Sequence, residues 1–229
     1  SLASEKLIYP CFCNRARLQS IASAPHVGEV AHRYDGHCRH IDEEEVKMLS
    51  AEKDPSLRLS IDSCDIEFTD RWQGVQHIHL EGELDDYVLR RGDGMYAYNL
   101  AVVLDDIAMG ITEVIRGDDL LDTTGQQIYL YKTLQQCLHS KHIKVPSYGH
   151  APLLIDSEGH RLSKRQKSIT IRELRDNQWS ANRIVGELAI AGGLVKANTL
   201  NNREISISEL IEIDLNLPSL RQKTIEIKI

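Results

Sequence analysis

The stretch YAYNLAVVLDD at residues 96–106, followed by GITEVIRGDD at residues 110–119, decides the fold class of this chain. The continuous apolar run at 99–104 is typical of a short buried strand. Residues 111–115 predict a second strand, and residues 153–155 predict a third. Short apolar strands that alternate with helical patterns indicate a packed α/β core.

Helix-start signals follow these strands. Thr123 with Gln126 has the spacing of a capping box, and so has Thr170 with Glu173. Ser180 is a third expected N-cap residue. The sequence therefore predicts a long helix after the second strand and a mainly helical region at the end of the chain.

The remaining segments have weaker patterns. Residues 61–68 and 75–80 alternate enough to predict strands, and the acidic runs around them are typical of solvated faces. The tail after Pro218 has no assignable element and is expected to be peripheral. We expect three regions, a metal-bearing one, an α/β core and a helical one, at residues 1–95, 96–168 and 169–229.

Composition narrows the class of protein. The 229 residues carry 27 Lys and Arg against 34 Asp and Glu, a net charge of −7. No apolar run is long enough to span a membrane, and no secretory signal is visible. Five unevenly spaced cysteines argue against a disulfide framework, so we expect a reduced, cytoplasmic protein. The first residue is Ser1 and not Met, which raises the expectation of a fragment.

The cysteines near the start have metal-ligand spacing. Cys11 and Cys13 flank one residue, and Cys38 ends the segment YDGHC about 25 residues later. Thiolates favour zinc or iron–sulfur sites, and zinc takes four ligands. Chemistry alone leaves the fourth ligand open, with a neutral histidine as the generic preference. The candidates are His26, His32, His37, His40 and Tyr34. Ordinary reduced thiols are the alternative interpretation.

Two further patterns indicate ligand binding. The loop RLSKR begins at Arg161, and residues 161–175 hold six basic side chains against the single acid Glu173. Such a loop suits a polyphosphate or an RNA backbone, although basic runs are commonly plain solvated surface. Arg116 ends a predicted strand, where it can hold a carboxylate bidentately, and Tyr98 can close the same pocket.

Together these motifs resemble the glutamyl/glutaminyl branch of class I aminoacyl-tRNA synthetases. The loop is similar to the KMSKS loop of that family, with Arg161 and Leu162 in place of Lys and Met. The cysteine pattern and NRARLQSI at residues 14–21 resemble a small group in the branch, the glutamyl-Q tRNA(Asp) synthetases. The resemblance covers about residues 7–170.

The resemblance implies a fold and a set of site residues. The fold would be α/β, the C-terminal half of a class I synthetase Rossmann-like core with a zinc-binding insertion and a helical C-terminal region. One structural Zn²⁺ would be held by Cys11, Cys13, Tyr34 and Cys38. Glutamate would be bound by Tyr98 and Arg116, and ATP with Mg²⁺ by Lys164, the catalytic residue. The KMSKS-like motif would comprise Arg161, Leu162, Ser163, Lys164 and Arg165.

The activity implied is ATP-dependent activation of glutamate without tRNA, then transfer to queuosine at the wobble position of tRNA(Asp). Only 64 residues follow Arg165, too few for a separate anticodon-binding domain. The HIGH motif of the family has no counterpart here, so we expect an N-terminally truncated chain that is inactive alone. We expect a monomer that binds no membrane. A discriminating glutamyl-tRNA synthetase fragment and a non-catalytic zinc-bearing RNA-binding remnant are the alternatives.

Overall fold

The computed structural model describes residues 2–14, 16–18, 34–162 and 170–227. The chain divides into two compact units that interleave along the sequence. The first unit comprises Ser1–Phe68, Gln76–Thr112 and Asp122–Pro146. The second unit comprises Thr69–Val75, Glu113–Leu121 and Ser147–Ile229. Within the described ranges, every helix is too short or too polar to cross a lipid bilayer.

The first unit contains a three-stranded antiparallel sheet. Its central strand β2 (Ser56–Leu59) pairs with β1 (Ile8–Cys11) on one side and with a later strand on the other. The residue Cys11 is the register partner of Ser56. Leu59 is fully buried between the flanking strands. The start of the cysteine pattern is therefore part of a regular sheet.

Helix α1 (Glu43–Glu52) lies between β1 and β2 along the chain. Asp42 caps it, accepting hydrogen bonds from the backbone N–H groups of Glu44 and Glu45 at 3.0 and 2.8 Å. Three acidic residues in the first turn complement the positive end of the helix dipole. This acidic run is thus a helix start on the surface, in line with a solvated face.

Strands β3 (Cys64–Asp70) and β4 (Gly74–Leu80) form a hairpin, close to the two strands expected at 61–68 and 75–80. Asp70 Oδ1 closes the turn by accepting the backbone N–H groups of Trp72 and Gln73. Gly74 follows with φ of 75°, which favours glycine. The tip of the hairpin belongs to the second unit and the rest to the first.

The apolar run at 99–104 is a helix and not a strand, so that expectation was wrong. The strand β5 (Tyr87–Arg90) is followed by α2 (Tyr98–Met109). Leu100 and Val103 are buried, at helical spacing, whereas Leu104 is 44% exposed. Gly110 ends the helix in the left-handed conformation with φ of 67°. A short run of mainly apolar residues does not distinguish strand from helix, and here the helix spans twelve residues before Gly110 ends it.

Helix α3 (Leu121–Cys137) fulfils the expectation of a long helix, but its start differs. A short 3₁₀ turn at Asp118–Leu120 leads directly into it, so Thr123 lies inside the helix. The capping box expected at Thr123 was therefore wrong. The chain enters this helix from a preceding turn, which removes the need for a separate side-chain cap.

The second unit contains parallel strand pairs. Strand β6 (Glu113–Gly117), two residues later than expected, pairs in parallel with β7 (Ser147–Ala151) along its whole length. The end of β3 also pairs in parallel with β7, at Asp70 and Tyr148. The order of the sheet is β4-β3-β7-β6. Parallel strands joined through helices agree with the expected α/β core.

The end of the chain is built from short helices α4 (Ile171–Asp176), α5 (Ala181–Ala191) and α6 (Ile207–Glu212). The capping box of Thr170 with Glu173 and the Ser180 cap are confirmed. The tail is not peripheral, contrary to expectation. Its strand β9 (Thr224–Glu226) pairs in parallel with β8 (Leu153–Ile155), the third predicted strand, and buries Ile225.

Candidate functional site

Three cysteines meet in the first unit. The Sγ atoms of Cys11, Cys13 and Cys38 all lie within 4.8 Å of one another, and Cys13 and Cys38 are 3.6 Å apart. Strand β1 ends at Cys11, and a 3₁₀ turn places Cys38 opposite. Gly36 precedes that turn with φ of 73°, a conformation that side chains rarely adopt. The structure thus brings together the three thiols that the sequence pattern singled out.

Among the candidates for a fourth ligand, Tyr34 has its hydroxyl 3.7 Å from Sγ of Cys11. The same oxygen accepts the backbone N–H of Cys38 at 2.7 Å. His40 contacts Glu83 at 2.8 Å, and His37 is exposed. The remaining candidates, His26 and His32, lie outside the described residues.

Arg58 is a neighbour of the cluster that the sequence analysis missed. This buried side chain donates from Nε to Sγ of Cys11 at 3.2 Å, and its guanidinium lies 3.8 Å from the ring centre of Tyr34. Burial alone would raise the pKa of Cys11, but the hydrogen bond and charge of Arg58 outweigh it and lower that pKa. Burial and the neighbouring thiols raise the pKa of Cys13 to about 12.

The buried residue Asp86 supports Arg58 at the side of the cysteine cluster. Asp86 accepts from the hydroxyl of Tyr9 at 2.7 Å and from the backbone N–H of Ile61 at 2.6 Å. Arg39 lies 3.3 Å away, and the backbone oxygen of Asp86 accepts from Arg58 at 2.8 Å. Burial raises the pKa of Asp86, although all of these donors oppose the rise. The network holds Arg58 next to Sγ of Cys11.

The donor set fits a thiophilic metal ion. A tetrahedral zinc site with Zn–S bonds of about 2.3 Å requires sulfur–sulfur separations of about 3.8 Å. The separation of 3.6 Å between Cys13 and Cys38 is close to that value without any rearrangement. Thiol groups at this spacing would repel one another once ionised, and a cation would relieve that repulsion. The cluster can therefore hold a metal ion.

A second group of polar side chains lies at the carboxyl ends of parallel strands in the second unit. Asp70 is the last residue of β3, Arg116 is the fourth of five in β6, and His150 is the fourth of five in β7. Because β7 lies between β3 and β6, His150 lies between the other two residues. The carboxyl ends of parallel strands are where open α/β sheets bind their ligands.

Hydrogen bonds connect these three side chains in series. Arg116 Nε donates to His150 Nε2 at 2.9 Å, and His150 Nδ1 lies 2.6 Å from Asp70 Oδ2. The Arg116 guanidinium also lies 5.4 Å from the ring centre of Tyr148 and donates to the backbone oxygen of Leu120 at 3.3 Å. Arg116 is half-buried, whereas the side chains of Asp70 and His150 have no exposed surface.

The other predicted site residues that the structure describes belong to both units. Tyr98 is the first residue of α2 in the first unit and is 56% exposed. Arg161 pairs with Asp119 at 2.8 Å, and the backbone N–H of Leu162 donates to Leu154 at 2.9 Å. The rest of the KMSKS-like motif, Ser163, Lys164 and Arg165, lies outside the described residues.

Sequence reasoning missed Arg58, Asp70 and His150 as parts of these sites. No short-range spacing connects these residues to their partners, since Asp70 and His150 are 80 positions apart and Arg58 and Cys11 are 47 apart. For Asp70 the available signal was its position just after the strand predicted at 61–68, whereas the strand that carries His150 was not predicted.

The family model of the catalytic domain of class I tRNA synthetases (E and Q) matches residues 1–222. The chain therefore belongs to this family of synthetase catalytic domains. It is 43% identical over 196 residues to the glutamyl-Q tRNA(Asp) synthetase of Symbiobacterium thermophilum, covering 85% of this chain and 58% of that protein. It is 42% identical over 195 residues to the protein of the same name from Nitratidesulfovibrio vulgaris, again covering 85% and 58%.

The chain thus spans less than two thirds of the length of the curated relatives it matches. Among solved structures it resembles the glutamate-tRNA synthetase of Elizabethkingia anophelis, with a TM-score of 0.71 at 22% identity. That alignment covers 99% of this chain and 50% of the other. At this level of identity the likeness concerns the fold, and the expected class I synthetase fold is confirmed.

Proposed function

We propose that this chain takes part in activating glutamate with ATP and in transferring it to the queuosine base of tRNA(Asp). A carboxylate oxygen of glutamate attacks the α-phosphorus of ATP, and the bond to pyrophosphate breaks. The product is glutamyl-adenylate, and tRNA is not needed for this step. A queuosine hydroxyl then attacks the acyl carbon, loses its proton and releases AMP. Both steps depend on positioning and electrostatics, without a covalent nucleophile on the protein.

The observation that carries the proposal is the arginine at the end of β6. Arg116 lies at the sheet edge where α/β proteins bind ligands, and it is held by His150 and by the ring of Tyr148. A planar guanidinium suits a carboxylate because it donates two parallel hydrogen bonds. Its role is to hold a carboxylate of glutamate, with Tyr98 as the second predicted glutamate residue. The names of the relatives supply the substrate class.

Zinc has a structural role in this proposal. The ligands are Cys11, Cys13 and Cys38 with Tyr34 as the fourth. When bound, the ion would cross-link strand β1 to the turn that carries Cys38. Four protein ligands leave no open coordination position, so the ion needs no part in the reaction. The reduced cytoplasm is the expected location, since the site requires thiols that are not oxidised.

The proposed role of Lys164 comes from the resemblance alone. A lysine in the KMSKS-like loop would contact the phosphates of ATP, with Mg²⁺, and stabilise the charge that grows as pyrophosphate leaves. Arg161 anchors the start of this loop through Asp119. Arg161 belongs to the same unit as Arg116.

The first test is glutamate-dependent exchange between ATP and pyrophosphate, measured on this chain without tRNA. Exchange that disappears in Arg116→Gln and persists in Arg71→Gln would support the proposal and would overturn the expectation that the chain is inactive alone. Arg71 is a matched control because it is an exposed arginine of the same unit, paired with Glu113. Exchange with both variants would remove Arg116 from the proposal. No exchange by the unaltered chain would contradict the activity for these 229 residues.

The second test separates the alternatives. Labelled glutamate is offered with tRNA(Asp) that bears queuosine, with tRNA(Asp) that lacks it, and with tRNA(Glu). Labelling that depends on queuosine supports the proposal. Charging of tRNA(Glu) supports a discriminating glutamyl-tRNA synthetase instead. Zinc and RNA binding without any labelling supports the non-catalytic alternative.

A further inference from the structure

We propose that Asp70 and His150 are positioning residues that hold Arg116 in the orientation needed to bind the carboxylate of glutamate. The inference rests on the proposed function and adds two residues to it. Asp70, His150 and Arg116 form one hydrogen-bonded chain across three parallel strands, with distances of 2.6 and 2.9 Å. The glutamate-binding residues predicted from the sequence include neither Asp70 nor His150.

The direction of the hydrogen bonds follows from arginine chemistry. The Nε of Arg116 carries a proton and can only donate, so Nε2 of His150 must accept. The single ring proton of His150 is then on Nδ1, where it is donated to Oδ2 of Asp70. The carboxylate therefore selects the tautomer of His150, and that tautomer presents an acceptor to Arg116. The same logic makes a carboxylate orient a catalytic histidine in hydrolases.

Asp70 is itself held rigidly. Its other oxygen, Oδ1, accepts the backbone N–H groups of Trp72, Gln73 and His150 at 3.0, 2.9 and 3.2 Å. Burial would raise the pKa of Asp70, but these hydrogen bonds and His150 lower it, so the carboxylate is charged at neutral pH. Gln73 also donates to the backbone oxygen of His150 at 3.1 Å. The turn after β3 thus fixes both members of the pair.

The register of the sheet determines how these fixed side chains orient Arg116. Arg116 and His150 are direct register partners in β6 and β7, so their side chains lie on the same face. Tyr148 is two residues before His150 on that face, and its ring lies under the guanidinium. His150 holds the Nε edge of the guanidinium, and Tyr148 restricts its plane. A preorganised arginine loses less rotational freedom when it binds a carboxylate.

The decisive variant is Asp70→Asn. The amide oxygen can still accept the backbone N–H groups, but the amide nitrogen would donate to Nδ1 of His150. The ring proton would move to Nε2, where it would face Arg116 donor to donor. We expect the KM for glutamate in pyrophosphate exchange to rise about tenfold or more, with the KM for ATP unchanged. The matched control is Glu113→Gln, an exposed carboxylate on the same strand as Arg116.

A second measurement reads the tautomer without any activity. Long-range ¹H–¹⁵N spectra of the unaltered chain should show His150 protonated on Nδ1, assigned by comparison with His150→Phe. Asp70→Asn should move the proton to Nε2, and Glu113→Gln should not. This measurement decides the hydrogen-bond chain even if the unaltered protein exchanges no pyrophosphate, which would contradict the proposed function alone.

Three results would overturn the inference. The first is a proton on Nε2 of His150 in the unaltered chain. The second is a tautomer that changes in Asp70→Asn while the KM for glutamate stays within twofold of normal. The third is a loss of exchange in Asp70→Asn that affects glutamate and ATP equally, because that result indicates a structural role only.

Discussion

The cysteine cluster of the first unit and the strand-end chain of the second unit both bury reactive groups, but they balance charge differently. The cluster brings together three sulfurs and the hydroxyl of Tyr34, with the cation Arg58 on one side. The strand-end chain runs from the carboxylate of Asp70 through a neutral ring to the guanidinium of Arg116. In the strand-end chain, the three side chains pair as hydrogen-bond donors and acceptors of one another. The cluster instead contains more soft ligand atoms than donors to pair with them.

The difference indicates what each region requires from outside. Three thiols whose sulfur atoms lie within 4.8 Å of one another reach a lower free energy when they ionise and bind a cation. The strand-end chain needs no such partner to be complete, and its role is to be rigid before a ligand arrives. We therefore expect the stability of the first region to depend strongly on bound metal. We expect the second region to be sensitive to the loss of a single hydrogen-bond donor or acceptor.

Removal of metal should have the largest effect. We expect the chain purified with zinc to hold one ion, and Cys38→Ser or a chelator should remove it and lower Tm by ~10 °C or more, since structural zinc contributes about 10 kcal/mol in small domains. Zinc analysis and thermal unfolding measure both effects. Cys64→Ser is the control, because Cys64 lies outside the cluster. Equal zinc content in Cys38→Ser and the unaltered chain would refute the site.

Truncation of the buried histidine comes next. His150→Ala leaves the carboxylate of Asp70 buried without its ring partner, and we expect a loss of about 3–5 kcal/mol in the free energy of unfolding in urea. His79→Ala is a matched control, because His79 is also paired with an aspartate, its Nδ1 lying 2.8 Å from Asp65, but on an exposed surface. That change should cost no more than about 0.5 kcal/mol. Similar losses for both variants would mean that burial does not distinguish the two pairs.

A smaller effect is expected from the cation beside the cluster. Arg58→Met keeps the volume but removes the donor to Cys11, so the zinc affinity should fall about tenfold, as for other neighbours of metal ligands. Competition with a chromogenic chelator measures the affinity. Arg91→Met, which alters an exposed ion pair with Asp93, should leave it unchanged. An unchanged affinity in Arg58→Met would show that Arg58 only packs against Tyr34.

The smallest effect is expected at an ion pair that belongs to neither region. The hydrogen bond from Arg203 lowers the pKa of Glu187, so the folded state releases this proton more readily than the unfolded state. The stabilisation is full above the ordinary glutamate pKa of about 4.3 and is lost as pH falls through the lower folded value. Glu187→Gln should cost about 1 kcal/mol or less at pH 7 in urea unfolding. A difference from the unaltered chain that grows as pH falls would contradict this sign.

Some features that depend on neighbouring residues were predictable from sequence, although the capping box expected at Thr123 was not one of them. The capping box of Thr170 with Glu173 and the Ser180 cap need only three or four consecutive positions. The proximity of the three cysteines was also predicted, because their spacing is typical of metal ligands. The apolar run at 99–104 failed for the opposite reason, since burial on one side of a short helix and burial of a strand require the same residue types.

The sequence alone determined the α/β class, the cysteine pattern and the resemblance to class I synthetases. Only the tertiary structure decided that Arg58 contacts Cys11 and that the tail forms β9. It also decided that His150, held by Asp70, accepts a hydrogen bond from Arg116. These contacts arise from strand order and register, which bring residues 34 to 80 positions apart to the same sheet edge. Pairing over such distances depends on the packing of the whole unit, and short-range patterns in the sequence carry no record of it.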